Sequence, residues 1–275
     1  MNGFQDALKR AFKKHGGTIT QDICPKHNCN KITVNGNEVC PQCKKEHDDM
    51  AITQKFYKDE AEYKKRIHNK IITEFLQTKS IMPKNLKNSL LDMSFDNYYP
   101  NTQEQVKNVH MAKNLIAEYN DGAEGNAFIQ GKVGRGKTHL AMSMLKEFDG
   151  KGLFISLAEM FSLLNASVGA SRDYPYTKEY FNNLLDQADL VVLDDLGAEA
   201  AIKDGRASGT TIQRLRPFYE RSKRVITTSN LVPAEIESAY TSRVRSLVFS
   251  GTKNSENRIL RFTDGNDYRL GGHAS

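Results

Sequence analysis

The chain contains no apolar run long enough to span a membrane, no internal repeat and no low-complexity tract. Its opening segment, Met1 to Gly17, lacks the continuous apolar core of a secretory signal. With Phe4, Leu8 and Phe12 on one side of a short basic stretch, it reads as an amphipathic docking helix rather than a membrane anchor. Like charges never form a block of five or six. The formal net charge of +6 is therefore spread widely, and permits an anionic partner such as nucleic acid without designating one. Cysteine is missing from all of the chain except one window, Cys24 to Cys43. That distribution excludes disulfide staples across a fold and, with no secretory signal, favours a cytoplasmic protein with a metal site. What remains is ordinary for a globular chain of 275 residues, 39% hydrophobic and 26% charged, enough for one large domain or two smaller ones.

The cysteine window reads Cys24-Pro-Lys-His27-Asn-Cys29, then a stretch ending in Val39, then Cys40-Pro-Gln-Cys43. Each knuckle offers two ligands from one bend. Asn35-Gly36 between them is a strong two-residue hairpin signal that would bring the knuckles together. Tetrahedral zinc suits this donor set. Five donors compete for four positions: Cys24, His27, Cys40 and Cys43 form the expected set, with Cys29 as the alternative to His27. No position is left open for a substrate, so the zinc would be structural, supplying most of the folding free energy of a piece too small for its own core.

A second pattern carries chemistry. Gly131-Lys-Val-Gly134-Arg135-Gly136-Lys137-Thr138 fits the phosphate-cradling loop, preceded by an apolar run at Ala127–Gln130 and followed by a helical pattern. Its glycines let backbone N–H groups curl around phosphate oxygens at a helix N-terminus. Lys137 would reach the β- and γ-phosphates of ATP, and the Thr138 hydroxyl a magnesium ion. Further on, Leu190-Val-Val-Leu193 reads as a strand buried on both faces. Asp194 at its carboxyl end would hold magnesium, and Asp195 would orient or deprotonate the attacking water.

Lys44 to about Lys79 forms a long helical pattern with Phe56, Tyr63, Ile67, Ile71 and Phe75 repeating at seven and four residues. It suits either a packed helix or a partner-binding surface. Ser80-Ile-Met-Pro83 breaks it. The expected organisation is an N-terminal zinc-binding and helical domain over 1–83, a linker over 84–101 and an ATPase domain over 102–275. Strands are expected near Ala127–Gln130, Gly152–Ser156, Leu190–Asp194, Val225–Thr228 and Arg258–Phe262, alternating with helices. The fold class is α/β, a parallel sheet with helices on both faces.

Five short runs accompany these motifs: His139-Leu140-Ala141 after the phosphate loop, Leu196-Gly197-Ala-Glu199 after the two aspartates, Thr227-Thr-Ser-Asn230, Thr241-Ser-Arg243-Val-Arg245, and Gly265-Asn-Asp-Tyr268-Arg269. Together they closely resemble the bacterial and phage replicative-helicase loaders of the DnaC/DnaI type, which are AAA+ ATPases in the clade of the replication initiators. The resemblance covers about Leu90 to Arg269, and the N-terminal part is similar to that of the zinc-containing loaders. It implies an ATP- and magnesium-dependent enzyme with slow, regulatory hydrolysis and no C-terminal lid. The implied partners are the hexameric replicative helicase, single-stranded DNA and further copies of the chain, joined through the ATPase domain. By the same resemblance Asn230 is the polar sensor near the γ-phosphate. Arg243, with Arg245 as the alternative, is the finger presented to a neighbouring subunit's nucleotide. His139 and Arg269 lie near the nucleotide. The segment Asn165 to Tyr180 would hold an extra helix, offering Arg172, Tyr174, Tyr176, Lys178 and Tyr180 to single-stranded DNA. Arg214, Arg216, Arg221, Lys223 and Arg224 form a second basic region, either DNA-binding or a solvated helix face. Rival readings are an ATPase helper of DNA transposition and a zinc adaptor in which nucleotide only stabilises the fold.

Overall fold

The structure, a computed structural model, describes residues 18–171, 173–198, 202–203 and 206–263. The chain divides into two compact units, Met1–Ile67 and His68–Ser275.

In the first unit, strands β1 (Thr18–Ile23), β2 (Asn30–Val34) and β3 (Asn37–Val39) form a small antiparallel sheet in that order. Asn35 and Gly36 both take positive φ, 52° and 81°, which closes the β2–β3 hairpin with the twist that a two-residue turn requires. Helix Pro41–Lys79 starts in this unit. Phe56, Tyr63 and Ile67 on it are exposed, so among the described residues its apolar stripe is uncovered there.

The second unit is built on a five-stranded parallel sheet, ordered β10 (Ile259–Phe262), β4 (Ala127–Gly131), β9 (Val225–Ser229), β6 (Leu190–Leu196), β5 (Gly152–Ser156). A short pairing of β7 (Ile202–Lys203) with β8 (Arg206–Ala207) lies outside it. Residues such as Phe128, Phe154, Val192 and Leu193 are fully buried, as expected of strands covered on both faces. Helices Gln103–Asn120 and Lys137–Glu147 bury Leu115, Ile116 and Leu140 in the core on one face. Helices Leu157–Ala166, Lys178–Gln187 and Gly209–Arg221 bury Phe161, Phe181 and Phe218 in the core on the other. The carboxyl ends of β4, β6 and β9 lie side by side, where a sheet wound in both directions opens its crevice.

Two expectations differ from this architecture. Residues 84–101, expected to be a linker, carry helix Lys87–Asp92 and a 3-10 turn at Phe95–Asn97, and bury Leu90 and Tyr98 in the ATPase core. Packing extends further back still. Phe75, Leu76, Ile81 and Met82 are buried, and Ile81 pairs with the edge of β5 through Ile81 N to Phe154 O, 2.8 Å, and Ser156 N to Ile81 O, 2.9 Å. The ATPase unit therefore starts within the long helix rather than at Thr102. Secondly, among the described residues no separate helix lies between Ala166 and Lys178. Gly169 (φ 81°), Asp173 and Pro175 interrupt any helical run there. The N-terminal segment with Phe4, Leu8 and Phe12 lies outside the described residues.

Candidate functional site

The loop between β4 and helix Lys137–Glu147 supplies one wall of a cleft of about 500 Å³. Gly134 and Gly136 turn it with φ of 77° and 88°. A Cβ on Gly136 would stand 2.9 Å from Tyr98 Oη, so left-handed backbone and close approach both demand glycine there. The opposite wall is the end of β6. Between Leu193 and Leu196 the pairing with β9 slips, and Asp195 takes φ 65°, an uncommon conformation for a residue with a Cβ. That kink places both aspartates of the strand end on the cleft, because a regular strand would send successive side chains to opposite faces.

A polar network links the walls. Asp194 Oδ1 accepts hydrogen bonds from Thr138 Oγ1 (2.9 Å) and Thr228 Oγ1 (2.8 Å). The Asp195 backbone N–H donates to the same Thr228 hydroxyl oxygen at 2.8 Å. Lys137 Nζ donates to Asn230 Oδ1 (2.7 Å) and to the Lys132 carbonyl (2.9 Å). Asn230 Nδ2 in turn donates to Asp195 Oδ1 at 3.1 Å. Asn230 thus joins the loop lysine to the acid, and does not cap the following helix, where Glu235 accepts from the Val232 N–H instead. Burial pushes the Asp194 carboxyl up to about 6, against the two threonine hydrogen bonds that favour its charged form. A carboxylate held dry beside a hydroxyl at a phosphate loop fits a divalent cation, which would repay the desolvation. Lys137, Thr138, Asp194, Asp195 and Asn230 are therefore brought together on one cleft.

His139 also lines the cleft. Its Nε2 lies 2.9 Å from both the Ser94 carbonyl and Asn97 Oδ1, and its ring meets Tyr98 edge-on at 5.1 Å. It fastens the segment around Ser94–Tyr98 over the phosphate loop. That segment, with Pro83, Leu86, Met93 and Tyr99, forms an apolar wall of the cleft that motif reading passed over. The pair Tyr98-Tyr99, ahead of Pro100 in a stretch read as a connector, was its one visible signal.

Arg243 and Arg245 do not line this cleft. Arg243 is exposed, with Nη2 at 3.8 Å from Glu220 Oε1. Arg245 lies 3.5 Å from Glu237 and over the Phe249 ring. Arg269 and Arg172 lie outside the described residues. Tyr174, Tyr176 and Tyr180 pack edge-on against one another, at 5.9 and 5.3 Å between ring centres, and Tyr174 Oη donates to the Leu163 carbonyl. The second basic region is engaged throughout: Arg214 with Asn165, Arg216 with Glu220, Arg221 with Asp186, Lys223 with Glu124, and Arg224 with the Ala123 carbonyl.

In the first unit, Cys24, His27, Cys40 and Cys43 hold their ligand atoms within 4.8 Å of one another. His27 Nδ1 lies 3.3 Å from Cys43 Sγ, 3.6 Å from Cys40 Sγ and 3.8 Å from Cys24 Sγ, and Cys24 and Cys43 are 3.7 Å apart. A tetrahedral zinc with Zn–S of ~2.3 Å and Zn–N of ~2.0 Å requires edges of about 3.8 and 3.5 Å, so the four fit the ion. Cys29 Sγ approaches Cys40 Sγ at 3.5 Å but is not part of the group. His27 Nε2 pairs with Glu46 Oε1 at 2.9 Å, an orienting contact that lifts the imidazole to about 9. The Cys43 backbone N–H lowers the Cys40 thiol to about 6, and burial raises Cys43 to about 11.

A family profile described as the bacterial DnaA ATPase domain matches residues 91–254, more than half of the chain. The replicative helicase loader DnaC of Escherichia coli K12 is 26% identical over 138 residues, 50% of this chain and 56% of that protein. An uncharacterized protein, YdaV, of the same organism is 31% identical over 140 residues, 50% of this chain and 54% of that one. The chain spans about half the length of these curated relatives. A crystal structure of the DnaC helicase loader superposes with a TM-score of 0.50 and 21% identity, over 64% of this chain and 99% of that one, a likeness of fold. With its phosphate loop, paired aspartates and four of the five strands of the parallel sheet inside the matched span, the chain belongs to the family of the bacterial DnaA ATPase domain, an AAA+ ATPase.

Proposed function

We propose that this chain is an ATP-dependent loader that binds a hexameric replicative helicase and helps place it on single-stranded DNA in the cytoplasm. The observation that carries the reading is a combination in one chain. The nucleotide cleft of this ATPase family is joined to a separate unit with a Cys3His group and an exposed apolar stripe at Phe56, Tyr63 and Ile67. The similarity to a helicase loader over half the chain supports it.

In this reading ATP lies in the cleft with its phosphates on Gly131, Gly134, Gly136 and the backbone of Arg135. Lys137 leaves Asn230 for the β- and γ-phosphates. Thr138 and Asp194 hold magnesium, which supplies charge neutralisation on the phosphates. Asp195 orients the attacking water, and Asn230, already bonded to both Lys137 and Asp195, senses the γ-phosphate through a neutral amide. Arg243 acts in the cleft of a neighbouring copy, its exposure leaving it available. Hydrolysis is slow and sets when the helicase ring is released. Zinc on Cys24, His27, Cys40 and Cys43 fixes the unit that grips the helicase. The tyrosines of 174–180, half-buried and packed edge-on, would offer their remaining exposed surface to DNA.

Native mass spectrometry of the chain with its host's replicative helicase, with ATP, tests the reading. A defined complex lost on removal of residues 1–67 alone is expected. No complex in any nucleotide state would move the assignment to a transposition helper or a zinc adaptor.

A further inference from the structure

Arg135 stands between Gly134 and Gly136 in the phosphate loop and is one of the residues lining the cleft. Its Nε and Nη1 are enclosed by protein and have no hydrogen-bond partner. This is an expensive arrangement. A guanidinium cannot shed its proton, so its burial cannot be relieved by neutralisation as a lysine's can. Enclosed donors without acceptors cost the full desolvation of those groups.

The two aspartates of the cleft do not partner the buried nitrogens of Arg135. Asp194 Oδ1 is bonded to Thr138 and Thr228, and Asp195 Oδ1 to Asn230. Lys137, by contrast, has the Asn230 amide and the Lys132 carbonyl. Within the loop, Lys137 is satisfied by the protein, whereas Nε and Nη1 of Arg135 are not. Two aspartates also place negative charge on the cleft wall, so a polyphosphate entering with one magnesium and one lysine would meet a shortage of positive charge.

We propose that the Arg135 guanidinium is a second phosphate-binding cation of the cleft, donating to phosphate oxygens of the bound nucleoside triphosphate from within the same chain. The inference rests on the nucleotide-cleft reading above and assigns the side chain a role that the loop pattern, which uses only backbone at this position, does not. Arginine suits it: a planar fork makes two parallel bonds to phosphate. The cost of keeping it unpaired without nucleotide becomes affinity when the phosphates arrive, because the polar groups of a binding site are then met by the ligand rather than by the protein.

The test compares wild type, Arg135→Gln and Arg135→Lys as full chains, using titration calorimetry with a non-hydrolysable ATP analogue and with its GTP counterpart, alongside nucleotide-free melting. Arg135→Gln should bind the ATP analogue about 10-fold or more weakly, the worth of a lost charge-assisted hydrogen bond. Its nucleotide-free melting temperature should be unchanged or higher, since an enclosed unpaired charge has been removed. Arg135→Lys should recover part of the affinity, and the ratio of ATP to GTP affinity should stay constant across the three. Unchanged affinity in Arg135→Gln overturns the proposal. So does a lowered melting temperature with the affinity loss, which would make Arg135 a packing residue, and so does an altered ATP:GTP ratio, which would put it on the base. Absence of binding by wild type itself would instead overturn the nucleotide-cleft reading, a failure visible before any variant is compared.

Discussion

Replacing Asp194 with asparagine should stabilise the nucleotide-free protein while abolishing its response to magnesium and ATP. The carboxyl is pushed from 3.8 to about 6 by burial, so folding works against its ionisation at neutral pH. At about 1.4 kcal/mol per pKa unit, that opposition is on the order of 3 kcal/mol. An asparagine keeps the oxygen that accepts from Thr138 and Thr228 and carries no charge to desolvate. For a unit of this size, ~3 kcal/mol corresponds to a rise of roughly 6–12 °C in melting temperature. The pH dependence carries the sign. Because the folded value lies above the unfolded one, the carboxylate's cost is absent below about pH 4, grows between about 4 and 6, and is constant above. The advantage of Asp194→Asn should therefore be full at pH 8 and vanish near pH 4. Thermal melts of both proteins across that range, without nucleotide, read it directly. Adding ATP and magnesium should reverse the order, since a ligand stabilises only the protein that binds it. A variant no more stable than wild type at pH 8, or an advantage independent of pH, would refute the argument that Asp194 is held against its own ionisation.

Lys137→Ala should remove the bonds to Asn230 and the Lys132 carbonyl and abolish ATP turnover; phosphate release at the wild-type rate would rule out the loop as the ATP site. Arg243→Ala should leave ATP affinity within about 2-fold of wild type but depress hydrolysis, and mixing it with Lys137→Ala protein should restore some turnover, because each then supplies what the other lacks. Arg245→Ala serves as the comparison, and the larger loss identifies the finger. Cys29→Ser should retain about one zinc per chain by elemental analysis, whereas Cys43→Ser should lose the metal and the folding of the first unit. Gly136→Ala, forced into φ 88° against Tyr98, should destabilise the ATPase unit by about 1–3 kcal/mol, measured by urea unfolding.

The parallel sheet was legible because its strands advertise themselves. Phe128-Ile129 and Val191-Val-Leu193 are short apolar runs bounded by turn formers, and burial on both faces leaves such runs little alternative. The Asn35-Gly36 turn was legible for a local reason too, since few residues other than these adopt the left-handed backbone it needs. What resisted reading depended on contacts between distant positions. The segment 84–101 is mixed in polarity, and nothing local reveals that Leu90 and Tyr98 are buried in the ATPase core or that His139 reaches Ser94 and Asn97. The bulge that turns Asp195 toward the cleft is likewise invisible in Leu-Asp-Asp-Leu, because it arises from a slip in pairing with β9.

Those two illegible features define how the site is assembled. The phosphate loop and the strand end are each specified locally, but neither makes a closed cleft. Closure requires residues 83–99 as a third wall, and His139, immediately after the loop's own Lys137-Thr138, is the clasp that holds them. A nucleotide that shifts helix Lys137–Glu147 by its phosphates must therefore also pull on Ser94 and Asn97, and through the packing of Leu90 and Ile81 on the stretch that begins at Phe75. That stretch is the end of the helix whose other end starts at Pro41, beside the Cys3His group. His139→Ala, which releases the clasp while keeping Lys137 and Thr138, should weaken ATP binding by a few fold and abolish nucleotide-dependent changes in amide exchange over 83–99. Exchange there that still tracks ATP in His139→Ala would place the coupling on another path.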